Sequence, residues 1–377
     1  MNVAEISVTT FEKRLRRVAR KERRPLSCLF EITPTCNLRC HFCYVALDPY
    51  QGPYLTTQQM YAVLDKLYYA GVLWLTFTGG EIFSRRDFAE VYRYARGKGF
   101  LVTLFTNATM MNERLAALFR ELPPFLVEVS IYGHNAEIYE ATTQIPGSFA
   151  RFERGITLLQ NADVPLKLKT SLSTFTQDHV AALHRYCEAR GLKYSVDLTL
   201  DHTHDGGDTP TLYRLTTKKI MEIGAEMDAM QGYLPPPKQE RQMPLPECSE
   251  GGDPGGPEEL YRCGAGRTAL FVNALGQASH CVIDRDPSFP ILEMDWDELW
   301  AKMGEWVTQP LPADAPCSGC GLRGGCQNCP ARSRIATGSP YLKDPYYCDV
   351  THERNGLEPA IHPDYRKAPR PLGACAS

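Results

Sequence analysis

The sequence lacks any apolar run that approaches the roughly 18 residues of a membrane span. Its N-terminal segment carries charges where a signal peptide would have an apolar core. The net charge of −3 at pH 7 leaves no excess of positive charge for a general nucleic-acid surface. We therefore expect a cytoplasmic protein whose partners include neither a membrane nor a nucleic acid.

Cysteine, by contrast, is abundant, with 14 residues in a chain of 377. Three of them, Cys36, Cys40 and Cys43, lie within one short stretch, and others crowd between positions 317 and 348. Because the cytoplasm keeps thiols reduced, clustered cysteines are better explained as metal ligands than as disulfides. Iron–sulfur clusters and zinc are the leading candidates.

The first cysteine motif has one thiol fewer than a closed metal site needs. A structural zinc site normally has four protein ligands, and a cubane cluster has four irons. Three thiolates therefore either recruit a distant fourth ligand or leave one metal position open. An open iron could bind a small molecule through an amine and a carboxylate, and could pass one electron to it.

The fold class predicted from the sequence is α/β. Six short apolar segments between residue 26 and about residue 200 alternate with helical patterns, which is typical of parallel βαβ units. Six units are too few for an eight-fold barrel, so a partial (β/α)6 barrel is expected. In such sheets the active site lies at the carboxyl ends of the strands. The three cysteines directly follow the first strand.

The expected organisation has five parts. Residues 1–25 form a basic N-terminal helix, 26–204 the partial barrel, and 205–260 a bridge rich in Pro and Gly with one helix. Residues 261–350 form a small cysteine-rich domain with a β-hairpin, and 351–377 a tail. The eight basic residues between positions 13 and 24 are interpreted as a solvated helix face, with an acidic peptide leader as the alternative partner.

The cysteine loop after a strand, with Phe42 just before its last cysteine, resembles the radical S-adenosylmethionine (SAM) superfamily. The resemblance implies that SAM binds the open iron of a [4Fe–4S] cluster and is cleaved to a 5′-deoxyadenosyl radical. Glu81 would then contact the amino group of SAM, Ser130 its ribose hydroxyls, and Lys169 its carboxylate. The full set of SAM-binding residues so implied is Phe42, Gly79, Gly80, Glu81, Asn107, Ser130 and Lys169.

The later cysteines resemble the SPASM domain, which carries two auxiliary iron–sulfur clusters, here expected to be [4Fe–4S]. One interval departs from the family spacing, with two residues where three are usual. The resemblance assigns the distal cluster to Cys317, Cys320, Cys326 and Cys348, and the proximal cluster to Cys263, Cys281 and Cys329. The missing proximal ligand is Cys248, or that cluster has an open iron or fewer irons. A zinc site remains the alternative for this region.

Enzymes that resemble this architecture mostly modify peptides or proteins. The favoured function is therefore oxidative modification, by crosslinking, of a ribosomally made peptide. The expected partners are the peptide, an external electron donor such as flavodoxin or ferredoxin, and a separate leader-binding protein.

Three other functions stay open. The first is the modification of a tetrapyrrole or another small molecule. The second is sulfatase maturation, although Val282 stands where those relatives have an aspartate. The third is a non-catalytic iron–sulfur carrier or scaffold, although a carrier has no need of the SAM-binding glycines.

An acid or base that deprotonates a substrate radical would complete the site. Asp201, His202, His204 and Asp205 follow the sixth strand and are candidates, as is Asp284 near Cys281. Each of them also suits a purely structural role. The remaining cysteines are interpreted as core or tail residues, namely Cys28, Cys187 and Cys375.

Overall fold

A nine-stranded sheet organises the protein. The computed structural model describes residues 8–45, 53–230 and 259–357. The strands are β1 Ser27–Thr33, β2 Trp74–Gly79, β3 Leu101–Thr106, β4 Leu126–Ser130, β5 Leu166–Ser171, β6 Tyr194–Asp197, β7 Ala269–Val272, β8 Gln277–Ser279 and β9 Ser288–Pro290. Their order across the sheet is β6-β5-β4-β3-β2-β1-β7-β8-β9.

Eleven α-helices are present in the described part of the chain. They are α1 Val8–Glu22, α2 Thr57–Tyr69, α3 Phe88–Gly97, α4 Glu113–Glu121, α5 Ala136–Thr143, α6 Ser148–Asn161, α7 Val180–Ala189, α8 Thr217–Asp228, α9 Trp296–Val307, α10 Pro330–Thr337 and α11 Pro345–Arg354. Most of the helices up to α7 connect successive parallel strands, as βαβ units require.

The predicted partial barrel is confirmed. Strands β1 to β6 pair in sequence, and every pairing among them is parallel. The sheet does not close on itself, because β6 and β9 occupy its two ends. The carboxyl ends of the six parallel strands therefore meet along one open rim, where a site can form.

The two faces of this sheet differ chemically. Cys28, Phe30 and Ile32 of β1 belong to the main hydrophobic core beneath the helices. Because side chains alternate along a strand, Glu31 faces the opposite side, the inside of the partial barrel. The same alternation on β5 buries Leu168 in the core and leaves Lys167 and Lys169 to the inside.

Helix α2 shows how local sequence fixes an element. Thr56 and Gln59 form a reciprocal capping box at its start, which satisfies backbone N–H groups that would otherwise lack partners. The helix has a fully buried apolar stripe of Met60, Val63, Leu64 and Leu67, and Gly71 follows the helix with a positive φ of 93°. Each buried side chain of this size contributes about 1.5–3 kcal/mol to folding.

The predicted β-hairpin is confirmed as β7 and β8, which pair antiparallel. Its position was not predicted: β7 pairs in parallel with β1, so the hairpin extends the barrel sheet. The hydrogen bonds from Leu26 and Ser27 to the carbonyl of Thr268 join the two segments. Strand β1 thus lies between β2 and β7 in the sheet.

The basic N-terminal segment forms a helix that packs on the body of the protein. The guanidinium of Arg16 lies 4.7 Å from the Trp74 ring centroid. Arg20 donates hydrogen bonds to the carbonyls of Arg262 and Cys263, and Arg23 donates to those of Gly266 and Trp300. Part of the predicted solvated face therefore fastens α1 to the cysteine-rich region.

Some predictions lie outside the described residues. These are Cys248, Cys375, positions 231–258 of the predicted bridge and most of the predicted tail. Within the three described ranges, no helix has the length and apolar character needed to cross a membrane.

Candidate active site at the carboxyl ends of the strands

The three thiols of the first motif are neighbours. Burial raises the pKa of Cys36 to about 11, and the nearby Cys43 thiolate contributes to the rise. Burial also raises the pKa of Cys40, and the charges of Cys43 and Cys36 act in the same direction. The backbone N–H of Cys43 donates to the carbonyl of Cys40 at 3.1 Å, so the loop turns back and keeps its cysteines together after β1.

Two glycines let this loop pass close to the end of β2. Gly79 has a φ of 151°, and a side chain there would place its Cβ 2.1 Å from the carbonyl oxygen of Thr33. A Cβ on Gly80 would lie 2.5 Å from the carbonyl oxygens of Pro34 and Thr35. Only glycine permits this backbone approach.

Replacing Gly80 with alanine tests this arrangement. Because the Cβ would meet backbone atoms that cannot rotate away, Gly80→Ala is expected to lower the free energy of unfolding by about 2 kcal/mol. It should also weaken iron binding by the adjacent loop. Gly97→Ala is the matched control, since no atom lies within 4 Å of the added Cβ. Urea unfolding of both variants measures the difference, and equal midpoints would contradict the prediction.

Glu81 is fully buried and braces the ends of two strands. Its carboxylate accepts hydrogen bonds from the Thr106 hydroxyl at 2.6 Å, the Asn107 backbone N–H at 2.7 Å and the Phe83 backbone N–H at 3.1 Å. Burial raises the pKa of Glu81 to about 7, while these hydrogen bonds act in the opposite direction. Glu81 therefore has a structural role, and its part in holding an amino group stays a prediction.

Asn107 lies beside the cysteine loop, as its position after β3 predicted. Its side-chain amide is 3.8 Å from the Cys36 sulfur and 3.1 Å from the Asn37 amide oxygen. The Asn37 amide in turn donates to the Thr109 hydroxyl at 2.7 Å. Sequence reasoning missed Asn37 and Thr109, and the only available signal was the position of Asn37 next to a cysteine.

Ser130 and Lys169 lie opposite each other on β4 and β5. The Lys169 ammonium is 3.4 Å from the Glu128 carboxylate and 3.0 Å from the Phe105 ring centroid. Burial lowers the pKa of Lys169, and the charge of Glu128 opposes that effect. Lys167 also approaches Glu128, at 3.5 Å, so two ammonium groups share one carboxylate. The result is one surplus positive charge inside the partial barrel.

Phe42 is buried and packs edge-on against Tyr132, with ring centroids 5.4 Å apart. Tyr132 stands two residues after the end of β4. The rings of Phe42 and Tyr132 therefore pack together between the cysteine loop and the rim that carries Ser130. Tyr132 is a second residue that the sequence reasoning did not select.

The proximal thiols also form a set of neighbours. Burial raises the pKa of Cys281 to about 12, and the charges of Cys329 and Cys263 add to the rise. Burial likewise raises the pKa of Cys329 to about 11, against the opposing charge of Arg332. These three cysteines lie far apart in the chain, and only the tertiary structure brings them together.

The distal thiols form the third set. Burial raises the pKa of Cys317, and Cys326 and Cys320 contribute. For Cys348, burial is again the main cause of a raised pKa, with Cys326 and Cys317 among the further ones. Cys320 is exposed, which places this set near the surface.

The potential ligands in all three sets are thiols without a disulfide partner. Within the described ranges, no three His, Cys, Asp or Glu side chains lie close enough together to hold a single metal ion. Each thiolate of a four-iron cluster binds a different iron, so its ligands are farther apart than those of one ion. Soft sulfur donors in this arrangement fit iron–sulfur clusters.

The acid–base candidates have different surroundings. The Asp201 carboxylate accepts a hydrogen bond from Arg332 Nε at 2.8 Å. The Asp205 carboxylate accepts hydrogen bonds from Thr203 and Gly207, which lie within two residues of it. The His204 ring nitrogen Nδ1 lies 3.2 Å from the carbonyl oxygen of Tyr44, beside the first cysteine loop. Burial lowers the pKa of His204, which favours a neutral ring.

Asp284 and His202 each have charged or polar partners of their own. Asp284 is buried among Tyr261 at 3.2 Å, Arg334 at 3.3 Å and His280 at 3.7 Å. Burial raises the pKa of Asp284 to about 6. His202 bridges Asp208 at 2.8 Å and Asp344 at 3.7 Å.

The fold is thus an open parallel barrel with three cysteines at its rim and two glycines where their loop approaches the end of β2. Residues 30–187 match the family model of the Radical SAM superfamily. The chain carries a radical SAM domain, and with it the binding of SAM and a [4Fe–4S] cluster.

Full-length comparisons extend this similarity. The chain is 26% identical over 336 residues to the AdoMet-dependent heme synthase of Methanosarcina barkeri (strain Fusaro / DSM 804), covering 86% of this chain and 96% of that protein. It is 25% identical over 325 residues to the antilisterial bacteriocin subtilosin biosynthesis protein AlbA of Bacillus subtilis (strain 168), covering 80% and 68%.

One solved structure is similar over most of the chain. Streptococcus suis SuiB bound to the precursor peptide SuiA superposes with a TM-score of 0.67, covering 91% of this chain and 82% of that one. At 15% identity this likeness establishes the fold alone.

Proposed function

We propose that this protein is a radical SAM oxidoreductase that oxidatively modifies, by crosslinking, a ribosomally made peptide. The observation that carries the proposal is that the thiols form three sets, each made of neighbouring thiols. One set lies at the barrel rim and two lie in the cysteine-rich region. SAM bound at the rim cluster supplies the 5′-deoxyadenosyl radical that removes a substrate hydrogen. An oxidative outcome requires a route for the remaining electron, and two auxiliary clusters would provide it.

The rim cluster would be held by Cys36, Cys40 and Cys43. The proximal set would comprise Cys263, Cys281 and Cys329, with Cys248 as a fourth ligand, and the distal set Cys317, Cys320, Cys326 and Cys348. Gly79, Gly80 and Glu81 would shape the pocket for the methionyl end of SAM. Phe42, Asn107, Ser130 and Lys169 would surround the rest of the molecule.

Lys169 is proposed to bind the SAM carboxylate, and Glu128 helps to keep it protonated. Lys169→Met should raise the dissociation constant for SAM by about 10- to 100-fold, the effect of losing a charged hydrogen bond. Glu128 would keep Lys167 as its partner, so the fold should survive. Lys167→Met is the matched control and should leave the constant unchanged. Equilibrium dialysis with the reconstituted protein makes the measurement, and an equal effect of both substitutions would contradict the assignment.

His204 is proposed as the base that deprotonates the substrate radical. It lies beside the first cysteine loop, and a lowered pKa keeps its ring neutral and able to accept a proton near pH 7. Asp201, Asp205 and Asp284 are less suitable, because their carboxylates already accept hydrogen bonds from neighbouring groups. An external one-electron donor and a separate leader-binding protein complete the proposed partners.

The peptide substrate is supported by the similarity to a bacteriocin biosynthesis protein over most of the chain. A second candidate, a tetrapyrrole substrate, is favoured by the similarity to a heme synthase, which covers nearly all of that relative. The radical SAM domain counts against a non-catalytic carrier.

Anaerobic co-expression with short reading frames from the surrounding genes separates the two candidates. We expect one peptide to lose two hydrogens, because forming a crosslink removes one from each joined atom. Mass spectrometry of each peptide, with Cys40→Ala as the inactive control, makes the measurement. If SAM is cleaved but no peptide changes mass, the tetrapyrrole candidate replaces the peptide.

A further inference from the structure

The segment that follows β6 makes an ion pair with a buried arginine of the cysteine-rich region. Asp201 accepts two hydrogen bonds from the guanidinium of Arg332, at 2.8 Å from Nε and 3.2 Å from Nη2. Arg332 is only 6% exposed, and its Nη1 donates to the carbonyl of Gln327 at 3.0 Å. A bidentate contact of this kind fixes the orientation of the two side chains as well as the distance between them.

A second residue of the cysteine-rich region reaches the same carboxylate. The Tyr347 hydroxyl donates to Asp201, and the Arg332 guanidinium lies 4.5 Å from the Tyr347 ring centroid. Arg332 stands three residues after Cys329 of the proximal set, and Tyr347 directly precedes Cys348 of the distal set. One carboxylate of the barrel therefore contacts the segments that carry both auxiliary thiol sets.

The same segment touches the first cysteine loop at its other end. The His204 backbone N–H donates to the carbonyl of Tyr44 at 3.0 Å. Tyr44 directly follows Cys43. Residues 201–204 thus connect the rim loop to both auxiliary segments through two hydrogen-bonded junctions.

We propose that Asp201 is a positioning residue that fixes the separation between the rim thiol set and the two auxiliary sets. Electron transfer between metal centres weakens steeply with distance, so a protein that moves an electron from the substrate site outward must hold its centres at fixed spacings. This ion pair suits the role, because removing the carboxylate leaves the charge of the buried Arg332 uncompensated and forces the segments to rearrange. The inference rests on the proposed function only in requiring clusters at all three thiol sets.

Pulsed electron paramagnetic resonance on the reconstituted full chain, reduced with dithionite, tests the proposal. The dipolar splitting between the rim cluster and the auxiliary clusters reports their separation. In Asp201→Asn this splitting should shift or lose its resolution, while the bound iron remains complete. Arg332→Lys keeps the charge but loses the bidentate contact, so it should produce a smaller change. Tyr347→Phe removes a single hydroxyl and should mainly affect the distal cluster.

The outer helices offer a matched control. Glu153 of α6 accepts hydrogen bonds from the Tyr186 hydroxyl and from Arg190 Nη2, the same chemistry away from every thiol set. Glu153→Gln should therefore leave the splitting unchanged. An unchanged splitting in all three junction variants, with complete iron, would overturn the positioning role and leave the proposed function intact. Iron at the rim set alone would overturn both.

Discussion

Cys40→Ala is expected to abolish the reductive cleavage of SAM. Cys40 lies between two other thiols at the barrel rim, and its loss would leave a four-iron cluster with two protein ligands. We expect the bound iron to fall by about four atoms per chain, because one whole cluster is lost. Iron analysis and the amount of 5′-deoxyadenosine formed after reduction measure both effects.

Two further cysteine variants test whether this effect is specific to the rim cluster. Cys187→Ala removes a thiol that is fully buried in α7, and it should retain all iron and full SAM cleavage. Cys317→Ala should lose a similar amount of iron but keep the spectrum of the rim cluster with SAM. Complete iron and normal cleavage in Cys40→Ala would refute the assignment of the first loop as a cluster site.

Glu81→Ala is expected to cause the largest loss of stability among single substitutions at the rim. It would leave the buried N–H groups of Phe83 and Asn107 and the Thr106 hydroxyl without their acceptor. Each orphaned group costs about 1–3 kcal/mol, so we expect the free energy of unfolding to fall by about 4 kcal/mol. Glu121→Ala is the control, since its carboxylate pairs with Arg93 in solvent and contributes little.

Glu81 also makes stability depend on pH. Its pKa is raised from an ordinary 4.5 to about 7, so the folded protein binds this proton more tightly than the unfolded chain does. The stability gained from the protonated form is therefore complete below pH 4.5 and is lost as the pH rises through about 7. The total change is on the order of 3 kcal/mol.

Glu81→Gln cannot titrate, which isolates this contribution. Denaturant unfolding between pH 5 and 8 should show the wild-type free energy falling relative to that of the glutamine variant. Parallel curves for the two proteins would mean that the carboxylate remains ionised in the folded state throughout this range.

Much of the fold follows from local sequence patterns. The six parallel strands and the β7–β8 hairpin depend on patterns within a few residues, and the sequence predicted both. Helices α10 and α11 were not predicted, because the cysteine-dense tail has no apolar periodicity: α10 and α11 bury few residues on a consistent face. The parallel pairing of β7 with β1 joins segments about 240 positions apart, which no local pattern encodes.

The first cysteine loop, by itself, determined the class of this protein. Three cysteines within eight positions need no long-range contact to be recognised, because they are close together in the chain itself. The two glycines before Glu81 are also recognisable, since a backbone approach without a side chain requires that residue type.

Only the tertiary structure decided what surrounds those residues. The carboxylate of Glu128 between Lys167 and Lys169, and the pairing of Asp201 with Arg332 across 131 positions, depend on strand register and on the docking of the cysteine-rich region. The sequence shows a charged residue but not its ion-pair partner, because an ion pair forms between groups that are close in space and not in the chain. The candidate base Asp201 is in this way also a contact between the barrel and the cysteine-rich region.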